Sequence, residues 1–150
     1  MVGAPLAPKG GGMAASERKR LIAKLDALAR DLLMRQAGAQ RVHGNTGSYW
    51  GPCEHCGKYG MLDVAHFASR RILALRWSFA PRNLFALTKG HHAFWAHHKP
   101  SEFAAWVEQK IGAADYAKIR MILKTPRRPD LKAIRLMLEA ELKRGTKTRV

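Results

Sequence analysis

The chain has 150 residues, 47% of them hydrophobic, which suits one packed core with appended helices and is too apolar for a disordered chain. There are 27 Lys and Arg residues against 11 Asp and Glu, a formal net charge of +16. Such an excess repels itself unless a polyanion neutralises it, so nucleic acid is the expected partner, and with no long apolar run or amphipathic lipid anchor a membrane is not.

In chain order, the opening MVGAPLAPKGGGMAAS lacks the charged start and apolar stretch of a secretory signal, and residues 1–15 read as a disordered leader. From Ser16 the pattern turns helical, with Leu21, Leu25, Leu28 and Leu32 recurring every three to four residues and Gly38 as a stop. Gly44 to Gly60 is rich in Gly, Pro and polar residues and reads as a loop. It holds Cys53 and Cys56, the chain's two cysteines. Their spacing is that of a metal knuckle or redox pair rather than a disulfide framework, which fits a reducing cytoplasm.

A short strand is expected over Met61 to Ala65, then a basic, partly helical stretch from Ser69 to Trp77, a turn at Pro81 and Asn83, and a second strand from Leu84 to Leu87. Gly90 to His98 should form a short helix stopped by Pro100, and Ser101 is the expected N-cap of the next helix. Further helices are expected from Ala113 to Leu123 and from about Leu131 to Arg144. The fold class is therefore α+β, with a domain over 16–123 and a basic helix and tail over 124–150. Lys118 to Val150 contains 11 basic and 3 acidic residues. Leu131, Ile134, Leu138 and Leu142 form an apolar stripe, leaving Lys132, Arg135, Lys143 and Arg144 for phosphates, so this end reads as a removable nucleic-acid grip.

Seven histidines are present, and His91, His92, His97 and His98 crowd one short stretch. A histidine leaving a strand (His66), an asparagine in a turn (Asn83), a second strand and a helix-borne histidine (His92) describe a hairpin-and-helix cradle for a metal and a phosphate. Imidazole acts near neutral pH as a base or a neutral metal ligand. Arg70, Arg71 and Arg76 carry guanidinium forks that match phosphate oxygens. On an ideal helix His97 lies about 140° from His92, so it joins His92 only if that helix is distorted.

The stretch CEHCGKYGMLDVAHFASRRILALRWSFAPRNLFALTKGHHAFWAHHKPSEFAAWVEQKIG, with a likeness reaching over residues 24–120, resembles the HNH (ββα-metal) endonuclease superfamily, and within it the phage recombination endonucleases of the NinG/Rap type. The likeness rests on Cys53 and Cys56, on His66-Phe67 followed by Arg70-Arg71, on Arg76-Trp77, on Asn83, and on His92 nine residues beyond Asn83. It implies a metal-dependent DNA endonuclease in a bacterial or phage-infected cell, with His66 as general base, Asn83 orienting it, and Mg2+ or Mn2+ on His92. Cutting both strands would take a homodimer or two visits. Two positions depart from the family. Its second cysteine pair is replaced by Thr88 and His91, so a structural Zn2+ on Cys53, Cys56 and His91 needs a fourth partner, with His98, His55 and His43 as candidates. The slot before the base, a metal ligand in many HNH enzymes, is Ala65, and Asp63 on the same strand face could substitute. These departures keep open a non-catalytic zinc-knuckle DNA-binding protein, and the charge alone also allows an RNA-binding protein.

Overall fold

The computed structural model describes residues 4–7, 12–43 and 47–148, with side chains through 145. The leucine-rich segment forms helix α1 (Ala15–Gln36), burying Leu21, Leu25, Leu28, Ala29, Leu32 and Leu33 along one face. Gly38 stops it as expected. Its φ of 73° lets Gly38 N–H reach Arg35 C=O and Ala39 N–H reach Met34 C=O, a paired closure that a side chain at this position would strain.

Four strands follow: β1 (Gln40–Arg41), β2 (Tyr49–Pro52), β3 (Tyr59–His66) and β4 (Leu84–Thr88). They pair antiparallel in the order β1-β2-β3-β4, with Tyr49 opposite Leu62, Asp63 opposite Leu87 and His66 opposite Leu84. The loop expected over Gly44 to Gly60 therefore contains a strand, β2. Its Gly and Pro content hid it for a physical reason: a Cβ on Gly51 would stand 2.8 Å from that of Ala39, so glycine permits a close backbone approach rather than a break. Residues 44–46 of that loop lie outside the described residues.

Alternation along the hairpin sorts its side chains between two layers. Leu62, Val64, Leu84 and Ala86 pack with α1, while Ala65, Phe85 and Leu87 face Ala96, Phe103 and Val107 on the other side. That second cover comes from a π-helical segment, His91–Ala96, and from helix α3 (Pro100–Ile111). The cap expected at Ser101 lies inside α3 instead. Pro100 opens the helix, where its missing N–H costs nothing. Between β3 and β4 a one-turn helix, α2 (Leu73–Arg76), packs through Leu75 with Ala68 and with Ile119 of α4 (Ala113–Lys124).

Helix α5 (Leu131–Thr148) is no appendage. Leu131, Ile134 and Leu138 are buried in the same core as α1, with Leu142 packed against it. Nor is the opening segment wholly a loose leader. Among residues 4–7, Leu6 bridges to Pro129 and Ala7 N–H bonds Arg128 C=O. No helix among the described residues is long and apolar enough to cross a membrane.

Candidate metal centre and basic cleft

His66, at the end of β3, is largely buried, and its Nε2 lies 3.0 Å from the Arg76 carbonyl oxygen. That contact requires a proton on Nε2 and leaves the lone pair on Nδ1. Burial, aided by the Arg70 and Arg76 charges, drives the imidazole pKa from the ordinary 6.5 down to about 4, although the Arg76 carbonyl opposes this. At neutral pH His66 is therefore uncharged.

Asn83 is fully buried, 0% exposed. Its Oδ1 accepts from Ala68 N–H at 2.6 Å, while Nδ2 donates to the carbonyls of Ala68 (3.2 Å) and Leu75 (2.9 Å). It ties the segment just after His66 to α2. The Asn83 carbonyl also accepts from Phe67 N–H at 3.0 Å, so its reach to His66 runs through backbone rather than through a contact between side chains.

Arg76, expected to meet phosphate, is committed elsewhere. Nε and Nη2 bond the two carboxylate oxygens of Asp26 at 2.9 and 2.6 Å, and Trp77 Nε1 adds a third bond at 2.8 Å. Burial would raise the Asp26 carboxyl, but these donors outweigh it and hold the group below its ordinary pKa. The sequence signal for Asp26 is slight: it is one of three acidic residues on α1, beside the leucine stripe. Arg70 reaches the same carboxylate at 3.3 Å from an exposed position, and Arg71 is exposed.

Past Leu62, β3 loses its partner on the β2 side. That open edge borders a cleft of about 240 Å³ against α1, lined by Arg30, Asp63, His66, Arg70 and Lys89 among others. In the sequence Arg30 is only one of the basic residues on the outer faces of α1 and Lys89 carries no signal; the packing of α1 across the hairpin puts both on the cleft that His66 also lines. Asp63 is the junction between this cleft and the histidine cluster. Oδ1 accepts from Lys89 Nζ at 2.9 Å, and Oδ2 lies 3.1 Å from His92 Nδ1. Burial would raise this carboxyl as well, yet Lys89 and His92 together hold it below its ordinary value.

His92 Nε2 stands 3.1 Å from His97 Nε2. An α-helix would set residues five apart about 140° from each other. The wider turn of the π-helical segment, with its i→i+5 bonding, narrows that offset. At 3.1 Å one imidazole donates to the other. The Asp63 carboxylate on Nδ1 fixes the His92 ring. His66 does not join this cluster. It is three residues along β3 from Asp63, roughly 10 Å, with a side chain that alternation sends the other way.

The second cluster is the one expected from the knuckle. Cys53, Cys56 and His91 bring one ligand atom each within 4.8 Å of one another, and could hold a metal such as zinc. Cys53 Sγ lies 3.4 Å from His91 Nδ1. A tetrahedral zinc with ordinary Zn–S and Zn–N bonds would set that edge at about 3.6 Å. Burial would raise the Cys53 thiol, but backbone N–H groups of Thr88, Cys56 and His55, with the Thr88 hydroxyl, bring its pKa down to about 7. The site thus favours the thiolate that a metal requires. His98 stacks on Phe94 and His43 is an exposed turn residue at the β1–β2 connection, so neither completes it. Lys132 is exposed on α5, and Arg135 there pairs with Glu139 at 3.3 Å.

Comparison with family models, with curated proteins and with solved structures gave no match.

Proposed function

We propose that this chain is a metal-dependent DNA endonuclease of the HNH type, hydrolysing phosphodiester bonds beside the open edge of β3. The observation that carries the reading is the Asp63–His92–His97 cluster: two imidazole Nε2 atoms 3.1 Å apart, placed by a helical segment following a β-hairpin. His92 and His97 would hold a divalent cation, Mg2+ or Mn2+, which supplies charge neutralisation at the phosphate and the leaving oxygen. Asp63 orients His92. In the cleft, Arg30, Arg70 and Lys89 attract and align the DNA backbone. His66, which lines the same cleft, would serve as general base through Nδ1 with a bound DNA strand spanning the roughly 10 Å along β3 between it and Asp63. Asn83 acts as the anchor of the loop that carries the Arg76 carbonyl to His66. A zinc ion belongs on Cys53, Cys56 and His91. The resemblance to recombination endonucleases suggests branched DNA as substrate.

A second reading, a DNA-binding module without hydrolysis, draws on Ala65 and Ala96. Both slots, where HNH enzymes commonly place metal ligands, are buried alanines in one apolar cluster. Plasmid incubated with Mg2+ or Mn2+, with and without EDTA, separates the two. Nicking that needs the cation and falls at least about 10²-fold in His66→Ala and His92→Ala supports the enzyme. DNA binding with no nicking under any cation, or equal nicking by wild type and His66→Ala, overturns the catalytic assignment.

A further inference from the structure

The Cys53–Cys56–His91 cluster supplies three ligands, and the surrounding side chains decide what takes the fourth position. The Thr88 hydroxyl lies 3.5 Å from His91 Nδ1 and donates to Cys53. In a tetrahedral zinc site an oxygen–nitrogen edge measures about 3.3 Å, close to the separation of this hydroxyl from His91 Nδ1. A neutral aliphatic hydroxyl is a poor metal ligand, since ligands to zinc bind as thiolate, carboxylate or neutral imidazole.

Among the described residues only Cys53, Cys56 and His91 bring ligand atoms within 4.8 Å of one another, although the buried Nδ1 of nearby His55 has no hydrogen-bond partner. His55 is outside the group of converging ligand atoms; its ring stacks on Trp95 at 3.7 Å and meets His91 edge-on at 4.8 Å. Glu54 is spent on Arg82 and on Ala86 N–H. Asp63 is held by Lys89 and His92. Cys56 is exposed, so solvent reaches the centre from its side. Closed structural zinc sites have four protein ligands, whereas three protein ligands and an accessible fourth position describe a centre that exchanges ligands.

We propose that a zinc ion on Cys53, Cys56 and His91 keeps its fourth position, on the Thr88 side, for an exchangeable small ligand: water at rest, replaceable by a monoanion such as azide or a thiolate. Two thiolates balance the dication, so the centre accepts a neutral or singly charged ligand without a large electrostatic cost. The Thr88 hydroxyl is a positioning group for that ligand. Nothing in this inference depends on phosphodiester hydrolysis.

Cobalt substitution of the full chain tests it, because the visible bands of Co2+ report the ligands directly. Azide and 2-mercaptoethanol, titrated separately, should shift the wild-type bands in a saturable way. Thr88→Cys should bind the metal at least about tenfold more tightly in competition with a chelator, show the stronger sulfur charge-transfer absorption of a third thiolate, and no longer respond to azide. His55→Ala should keep the wild-type spectrum and its azide response, which keeps the test decisive if Thr88→Cys fails to fold. A wild-type spectrum unmoved by both additives, a spectrum altered in His55→Ala, or no Co2+ and Zn2+ binding at all would overturn the proposal.

Discussion

Replacing Asn83 should damage the fold before it damages any chemistry. Its amide makes three hydrogen bonds to backbone in a place with no exposure, to Ala68 N–H, Ala68 C=O and Leu75 C=O. Asn83→Ala strands those groups away from water, and each unsatisfied buried group costs about 1–3 kcal/mol. Taking about 1.5 kcal/mol each gives about 4.5 kcal/mol, a large fraction of a domain's usual 5–15 kcal/mol. At this chain length that corresponds to a fall in Tm of about 10 °C. Asn83→Asp sharpens the test. It keeps the shape and the acceptor for Ala68 N–H but turns the donor into a second acceptor facing two carbonyls, so it should be at least as harmful at pH 7. Acid should partly rescue it, because the protonated acid can donate to one carbonyl. Urea unfolding of the three proteins, with amide exchange at Ala68, measures both effects. A loss under about 1 kcal/mol in both variants would refute the anchoring role and return Asn83 to direct catalysis.

His66 carries a pH signature. Its folded pKa of about 4 lies below the ordinary 6.5, so the neutral form is the one the fold accommodates. Its contribution is complete above pH 6.5 and is lost as pH falls toward 4, about 3 kcal/mol in total. His66→Gln should flatten the stability curve across that window, and an unchanged slope would place His66 in contact with water. Asp63→Asn should weaken Mn2+ binding at His92 and His97 by about 10- to 100-fold, read by calorimetry, and leave zinc content unchanged; equal Mn2+ affinity would remove Asp63 from the cluster. Truncation after Thr125 should unfold the chain rather than merely loosen DNA binding, because burial of Leu131, Ile134 and Leu138 contributes about 2 kcal/mol each. A cooperative unfolding transition in that truncation would contradict it. The DNA role of α5 is better tested by Lys132→Gln with Lys143→Gln, both exposed, which should flatten the salt dependence of log K by about 0.9 for each phosphate no longer neutralised.

The sequence by itself determined the features that follow from local rules. The leucine period of α1, its glycine stop, the hairpin strands, the knuckle cysteines and the excess of basic charge are each written in neighbouring residues, where propensity and spacing act. Tertiary structure alone decided the rest. Only packing shows that Leu131, Ile134 and Leu138 complete the α1 core, since an apolar stripe on a basic helix does not specify what covers it. Only packing assigns Arg76 to Asp26 rather than to phosphate, because the partner is 50 residues away. His97 stands beside His92 because the turn between them is π-helical rather than α-helical. A spacing of five residues has no preferred meaning until backbone hydrogen bonding sets the turn, and here the packing of that segment between hairpin and α3 sets it.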